Sequence, residues 1–395
     1  MMEVKKTMEK SKKLLIFILA VGVFGIINTE MGVIGILPDL ADRYGVSVSA
    51  AGLLVSLFAL AIAIAGPTMP LVFSRINRKT VMLMVLGIFI IGNIIAIFTT
   101  DFTIALLARV IPAFFHPVYV SMALSVAAAS VSAREAPKAI SKVFIGVSAG
   151  MVLGVPVVSF IANAVSLEAA MSFFAIVNIF TFIATLLFVP SMPVRERLSY
   201  GSQLKVLTKG ITWLSIAAVL FLNAAIFGIY SYLAEYLEVV TNMSANAISA
   251  MLLVYGLANI AGNVMAGKLL TEYPIRSATI FPIVLTAVYL IFFYVAELAA
   301  PTAAIIVIWG VLAGIGANLN QYWIMSAAPK APDFANGLFL TSVNLGTTIG
   351  ASAAGIVIAQ YGTKYILSVG VLSLIAAFVC IVLRNSFFKT NTEAE

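Results

Sequence analysis

The hydrophobic pattern of the chain is a series of long apolar runs separated by short polar or charged segments. Most runs reach the length of about 20 residues that an α-helix needs to cross a bilayer. A transmembrane barrel would instead show alternating segments of about ten residues. The pattern therefore predicts an all-α polytopic membrane protein. Its twelve predicted spans are 14–37, 50–73, 79–99, 102–128, 138–163, 168–190, 211–234, 245–270, 275–297, 301–326, 333–358 and 362–384.

Composition agrees with this prediction. Of the 395 residues, 62% are hydrophobic and only 10% are charged, whereas soluble domains have about 25% charged residues. The single cysteine, Cys380, excludes a disulfide-rich secreted scaffold. With one histidine and one cysteine in the chain, the sequence offers no cluster of metal ligands. We therefore expect neither a metal nor a cofactor.

The distribution of basic residues gives the chain an orientation. A net charge of +7 is compatible with nucleic-acid binding, but only if the basic residues are clustered. With the N-terminus inside, 20 of the 23 basic residues fall on the inner side, Arg43 and Lys364 fall outside, and Arg109 lies within a span. The positive-inside rule then predicts cytoplasmic N- and C-termini in a cell membrane, and no binding of nucleic acid.

The longest predicted connection divides the spans into two groups of six. We predict an N-terminal six-helix bundle at 1–190, a cytoplasmic linker at 191–210 and a C-terminal bundle at 211–395. Two such halves are typical of secondary transporters. A fused ATPase is not indicated because the sequence has no G-x-x-x-x-G-K-[ST] motif. A membrane enzyme or receptor would need a clustered nucleophile, metal or cofactor constellation, which the sequence does not show.

Several different short motifs are distributed along nearly the whole chain. The loop after span two contains Arg75, Arg78 and Lys79, span four contains Arg109, and span five contains Gly154-Val155-Pro156. Further motifs are Asn28-Thr29-Glu30, Leu37-Pro38, His116, Tyr230-Ser231-Tyr232, Ala328-Pro329 and Asn344-Leu345-Gly346. Together they resemble the major facilitator superfamily, its drug:proton antiporter family, and within that family the sugar-efflux and arabinose-efflux-permease-like branch. The sequence departs from the family pattern at Pro70, Ser74 and Glu235.

The resemblance implies a fold and a transport cycle. It implies the major facilitator fold, in which two pseudo-symmetric six-helix bundles rock around a central cavity. Export of a small organic solute such as a drug, sugar or nucleoside would be coupled to proton entry, with the proton gradient as energy source. A facilitative carrier or proton-coupled importer of the same fold remains open, because fold does not set direction. We expect a monomer in which Arg75, Arg78, Lys79, Gly154 and Pro156 support the conformational change.

Three ionisable side chains lie well within the predicted spans, where charge is costly. Glu30 and Arg109 both lie about seven residues, or roughly 10 Å, from the outer end. Because the resemblance places spans one and four together, we hypothesise a buried ion pair that breaks when Glu30 is protonated. A permanent structural pair is the alternative. His116 lies two helical turns after Arg109, and is either a second proton carrier or a packing residue.

Neutral polar and aromatic residues in the spans are the candidates for solute binding. Amide side chains can bind hydroxyl or amide groups of a solute, or can bond neighbouring helices at about 0.6 kcal/mol each. The amide candidates are Asn28, Asn223, Asn318, Gln321 and Asn344. Phe114, Phe115 and Tyr119 are expected to form an aromatic wall. Glycines at four-residue spacing in spans five and eleven predict close helix contacts that either slide or stay fixed.

Overall fold

The computed structural model describes residues 2–46, 48–194 and 200–387, and within these ranges every regular element is helical. The chain forms two compact units, Met1–Leu198 and Ser199–Glu395. Among the described residues, eleven helices are long and apolar enough to cross a bilayer, and Leu53–Ala65 is a shorter apolar helix. The predicted all-α, multi-span architecture is confirmed. Of the basic residues counted above, Arg195, Arg197 and Lys389 lie outside the described residues.

The first unit contains nine α-helices and two 3-10 segments in its described residues. The α-helices are α1 Met2–Met31, α2 Leu37–Tyr44, α3 Val48–Ala51, α4 Leu53–Ala65, α5 Met69–Phe73, α6 Arg78–Phe98, α7 Phe102–Ala129, α8 Ala136–Ala164 and α9 Leu167–Phe188. The 3-10 segments are Gly32–Ile36 and Ala133–Glu135.

The second unit contains eight α-helices and two 3-10 segments in its described residues. The α-helices are α10 Tyr200–Leu204, α11 Gly210–Tyr230, α12 Leu233–Val239, α13 Ala245–Glu272, α14 Pro274–Val295, α15 Ala299–Ala327, α16 Pro332–Tyr361 and α17 Ile366–Phe387. The 3-10 segments are Lys205–Thr208 and Thr363–Tyr365.

Span one is not a single α-helix, in contrast to the continuous run predicted at 14–37. The α-helix α1 ends at Met31, a 3-10 segment follows at Gly32–Ile36, and the chain resumes as α2. Glycine is a weak helix former, and Gly32 and Gly35 both fall in the altered segment. The Ser159 hydroxyl of α8 donates to the Gly35 carbonyl at 2.7 Å, so a neighbouring helix supplies hydrogen bonding at the break.

Span two is also interrupted, where the sequence predicted a continuous helix at 50–73. The helix α4 ends at Ala65, and α5 begins only at Met69. Pro67 and Pro70 have no backbone N–H to donate to the carbonyl one turn earlier. The ladder of hydrogen bonds therefore fails over this stretch and leaves a turn between the two helices.

A glycine seam joins α8 to α1 in the first unit. A Cβ on Gly146 would overlap the carbonyl of Ala20, and one on Gly150 would lie 2.8 Å from the side chain of Ile27. Only glycine permits this approach of the two backbones. The stripe predicted in span five is therefore a close helix contact.

An equivalent seam joins α16 to α11 in the second unit. A Cβ on Gly346 would overlap the carbonyl of Leu220, and one on Gly350 would overlap the carbonyl of Ala224. In each unit, two glycines of the fifth span therefore allow it to pack closely against the first span, which agrees with the predicted pseudo-symmetry of the two halves.

Candidate functional site

Arg109 of α7 lies at the break in span one. Its side chain is buried, and its Nη1 and Nη2 atoms donate to the carbonyls of Thr29 at 3.2 Å and Glu30 at 3.4 Å. Its Nε atom donates to the carbonyl of Leu54 in α4 at 3.1 Å. The last carbonyls of an α-helix lack partners within the helix, and a cation is favourable at this end of the helix dipole. Arg109 therefore clamps spans one and two together through their backbones.

A buried polar network surrounds the same point of α1. The Thr29 hydroxyl donates to the Gly25 carbonyl at 2.9 Å, and accepts from Asn178 of α9 at 3.0 Å and Asn93 of α6 at 3.4 Å. Asn93 and Asn178, both missed by sequence reasoning, are amides within apolar spans three and six. That placement is the signal by which they could have been found.

A small cavity adjoins the guanidinium of Arg109. It has a volume of about 20 Å³ and is lined by apolar side chains together with Arg109, Asn93 and Tyr44. This is enough space for a single water molecule, and three polar side chains face it, which meets the usual requirements for a buried hydration site.

The carboxylate of Glu30 pairs with His116 and not with Arg109. The Oε2 atom of Glu30 lies 3.2 Å from the Nε2 atom of His116, with side-chain exposures of 13% and 5%. The two side chains are in contact, but within the described ranges neither imidazole nitrogen has a hydrogen-bond partner. Among the described residues no Glu30–Arg109 ion pair is formed, and the expected pairing is corrected to Glu30–His116.

Phe58 of α4 connects the two basic side chains, and sequence reasoning missed it. Its ring centroid lies 5.2 Å from the guanidinium carbon of Arg109 and 6.3 Å from the ring centroid of His116. An aromatic face stabilises a nearby cation. Phenylalanine is too frequent in this chain for its position alone to have indicated the contact.

Asn28 faces the glycine seam. It is fully buried in α1, and its Oδ1 atom would lie 3.1 Å from a Cβ on Gly154. In the part of the chain that the structure describes, neither polar atom of its amide has a hydrogen-bond partner. The helix α8 continues through Pro156 to Ala164. The structure thus brings Asn28 and Gly154 together, on a packed face of α1.

The predicted aromatic wall on α7 is divided between two environments. Phe114 and Phe115 are half-buried, and Phe115 packs edge-on against Phe73 at 5.9 Å. Tyr119 is fully buried, and its hydroxyl lies where a side chain on Gly22 would be. Tyr119 therefore packs against α1 and is not exposed on an open wall.

In the second unit, three of the four predicted amides bond neighbouring helices. Asn223 of α11 donates to Thr347 of α16 at 2.7 Å, and Asn318 of α15 donates to Asn263 of α13 at 2.7 Å. Gln321 of α15 donates to the Asn336 amide oxygen of α16 at 2.8 Å. These contacts match the interhelical alternative. Asn344 is half-buried, and among the described residues its amide donates within α16 alone, to the Leu340 carbonyl at 2.8 Å.

A buried arginine near the end of α17 was not singled out from the sequence, which placed it at the inner end of the last predicted span and counted it with the inner-side basic residues. Arg384 is 3% exposed, its guanidinium carbon lies 3.8 Å from the ring centroid of Trp323, and it donates to Ser326 at 2.7 Å. Its position as the last residue of the predicted span gave no sign of its burial. The stacking fixes α17 against α15.

The loop after span two holds the end of span six. Asn77 caps α6 by accepting from the backbone N–H of Lys79 at 3.0 Å, and donates to Ser191 at 2.8 Å. The Nζ atom of Lys79 donates to the Leu186 carbonyl at 2.8 Å, and the backbone N–H of Arg78 donates to Met192 at 3.2 Å. The loop thus fixes the chain where it leaves the first bundle.

Arg75 in this loop is half-buried, and Ser74 donates to the Leu71 carbonyl.

The two basic residues predicted outside each pair with an acid in their own unit. Arg43 of α2 donates to Glu168 at the start of α9 and to the Ile97 carbonyl at the end of α6, both at 2.5 Å. Lys364 donates to Glu297 at 2.8 Å and so links the start of the last span to the end of α14. The Arg43–Glu168 pair joins α2, which follows span one, to the sixth span of the first unit, and the Lys364–Glu297 pair joins the third and sixth spans of the second unit.

Comparison with known proteins identifies the family. The model of the Major Facilitator Superfamily matches residues 19–333. The MFS-type transporter YtbD of Bacillus subtilis is 31% identical over 366 residues, which cover 91% of this chain and 92% of the relative. A probable sugar efflux transporter of Helicobacter acinonychis is 28% identical over 387 residues, which cover 96% and 97%. The resemblance to the sugar-efflux branch is confirmed.

The fold comparison agrees. The crystal structure of the human organic anion transporter MFSD10 superposes with a TM-score of 0.77 at 16% identity, covering 94% of this chain and 99% of that one. The predicted major facilitator fold is thereby confirmed. Because the family model also covers well over half of the sequence, the chain belongs to the Major Facilitator Superfamily and is a multi-pass membrane transporter, not an enzyme.

Proposed function

We propose that this transporter is a proton-coupled antiporter that exports small organic solutes, with Glu30 and His116 as its proton-binding pair. The observation that carries the proposal is the 3.2 Å approach of the two side chains inside membrane-spanning helices. An ionisable pair in a membrane span is costly to keep, and such pairs serve mainly as proton relays or ion sites. The free energy for export would come from the proton gradient, without a cofactor.

The chemistry of the pair suits a cycle of alternating access. With Glu30 ionised and His116 protonated, opposite charges hold α1 and α7 together. A proton that arrives at Glu30 neutralises the carboxylate and removes this attraction, which changes the relative stability of two conformations. Arg109 keeps its backbone contacts in both states, because its acceptors are carbonyls that do not titrate.

The proposed solutes are neutral or singly charged molecules such as sugars, nucleosides and drugs. The name of the Helicobacter relative supports sugars. The spans hold few acidic side chains, which argues against multiply charged cations. Asn344 is the amide best placed to change partners, since its side chain bonds only within its own helix. The charge distribution further supports a location in the cell membrane with both termini in the cytoplasm. We propose that the protein acts there as a monomer.

The decisive experiment measures solute-driven proton movement in proteoliposomes. Purified protein is reconstituted with an internal pH dye, and sugars, nucleosides and cationic drugs are added in turn. Wild-type protein should move protons against the direction of the solute. Glu30→Gln should abolish proton movement while solute exchange persists, because the amide keeps the shape and loses the titration.

Glu135→Gln is the matched control, because Glu135 is an exposed acid in the short Ala133–Glu135 segment. It should leave coupling unchanged. Undiminished coupling in Glu30→Gln would exclude Glu30 as the proton site. Transport of any solute without proton movement in the wild type would instead identify a facilitative carrier, and proton movement along with the solute would identify an importer.

A further inference from the structure

A groove on the flank of the second unit differs from the rest of its apolar surface. It has a volume of about 270 Å³ and is formed by α13, α14 and α15 together with Tyr273, which connects α13 to α14. Its body is lined by apolar side chains, among them Ile280, Val284 and Ile315. Ile280 and Val284 are 41% and 39% exposed, so this wall of α14 is open to the surroundings of the bundle.

The polar groups of the groove are confined to one end. Arg276 and Ser277, in the first turn of α14, and Tyr273, just before it, line that end. Arg276 is exposed, as is Tyr273. These residues lie where the chain passes from α13 to α14, at the boundary of the membrane spans. The groove therefore has a cationic mouth at the membrane surface and an apolar body inside the membrane.

The depth of the groove matches one leaflet. Val284 lies eight residues after Arg276 in the same helix, which corresponds to about 12 Å along the axis. One leaflet provides about 15 Å of hydrocarbon, since the bilayer core is about 30 Å thick. An acyl chain that starts at the level of Arg276 would thus run along Ile280 to Val284 without crossing the midplane.

From this arrangement we infer that the groove is a binding site for a single anionic phospholipid, with its phosphate at Arg276 and one acyl chain in the apolar body. Basic pockets between membrane helices recognise anionic headgroups in this way. The inference does not depend on proton coupling or on the identity of the transported solute, because no residue of the groove belongs to the transport site.

Lipid retention tests the site directly. Protein is reconstituted in nanodiscs that contain equal amounts of phosphatidylglycerol and phosphatidylcholine, extracted in mild detergent, and the bound lipid is counted by native mass spectrometry. Wild-type protein should retain one phosphatidylglycerol in preference to phosphatidylcholine. Arg276→Gln should lower this preference about fivefold, the effect of one basic residue near an anionic headgroup.

Two further variants separate the site from general charge attraction. Ile280→Trp fills the groove and should reduce retention of both lipids, and Val284→Phe serves the same purpose if the first variant does not fold. Lys330→Gln removes an exposed charge of the same unit that does not line the groove, and should change nothing. Equal loss in Arg276→Gln and Lys330→Gln, or unchanged retention in the filled variants, would overturn the inference.

Discussion

Arg109 contacts Glu30 at its main-chain carbonyl, 3.4 Å from Nη2, and leaves the carboxylate to His116. The backbone contact and the contact with the carboxylate therefore belong to different basic side chains. The guanidinium holds the backbone where the α-helix of span one ends, and the imidazole lies against the carboxylate that is the proposed proton site. Protonation of Glu30 consequently does not require release of Arg109, as a direct ion pair between them would.

Arg109→Lys should destabilise the protein and impair transport. Lysine has a single ammonium on a flexible stem and cannot reproduce the planar fork that reaches three carbonyls on two helices. A buried carbonyl left without a donor costs about 1–3 kcal/mol. We therefore expect a lower apparent melting temperature in detergent and a reduced transport rate in proteoliposomes.

Arg134→Lys is the control for this change, since Arg134 is an exposed arginine in the 3-10 segment before α8. It should match the wild type in both measurements. If Arg109→Lys were as stable as the wild type, the backbone clamp would not contribute to the fold, and the role of Arg109 would have to be electrostatic alone.

Gly146→Ala should separate α8 from α1. The added methyl would overlap the carbonyl of Ala20, and overpacking of this kind costs about 1–3 kcal/mol. The measurement is fluorescence-detected size exclusion after a heating series. Gly87→Ala in α6 is the control because nothing lies within 4 Å of its Cβ position. Equal melting of both variants would show that the seam accommodates a methyl group at position 146 and that the close contact is not limiting for stability.

Amides of the second unit should divide into two classes. Asn223→Ala and Asn318→Ala each remove a hydrogen bond between helices, so we expect a loss of stability of about 0.6–1.7 kcal/mol. Asn344→Ala removes only a bond within α16 and should leave stability unchanged while it weakens solute binding. Thermal unfolding and solute affinity are measured for each variant. A loss of stability in Asn344→Ala, or a loss of affinity without a loss of stability in Asn223→Ala and Asn318→Ala, would contradict the assignment of these amides to structural and solute-binding roles.

The contact between Lys364 and Glu297 should stabilise the protein only above acidic pH. The hydrogen bond from Lys364 lowers the pKa of Glu297 below its ordinary value of 4.5. Because the folded pKa is depressed, the contribution is complete above pH 4.5 and is lost as the pH falls through the folded value. Lys364→Gln should therefore melt below the wild type at neutral pH, and the gap should close in acid. Lys330→Gln is the control, and its melting temperature should differ from the wild type by the same amount at every pH. If Lys364→Gln behaved in the same way, its effect would not come from the ionised carboxylate of Glu297.

The sequence predicted the membrane-spanning helices because the length of an apolar run can be read directly from the order of residues. It did not predict the partner of Glu30, since equal depth of Glu30 and Arg109 does not show which atoms meet. Phe58 was missed because one aromatic residue among 26 phenylalanines carries no local signal. The burial of Arg384 depends on its stacking with Trp323, a contact between distant parts of the chain.

The 3-10 segment Gly32–Ile36 also determines the direction, around the helix axis, in which the side chains of α2 project. Each 3-10 residue turns the chain by about 120° instead of about 100°, so five residues rotate α2 by roughly 100° relative to an uninterrupted α-helix. A helical wheel drawn through the whole span would therefore aim Arg43 about a quarter turn away from Glu168. The contact between these two residues depends on a phase shift made two turns earlier in the chain.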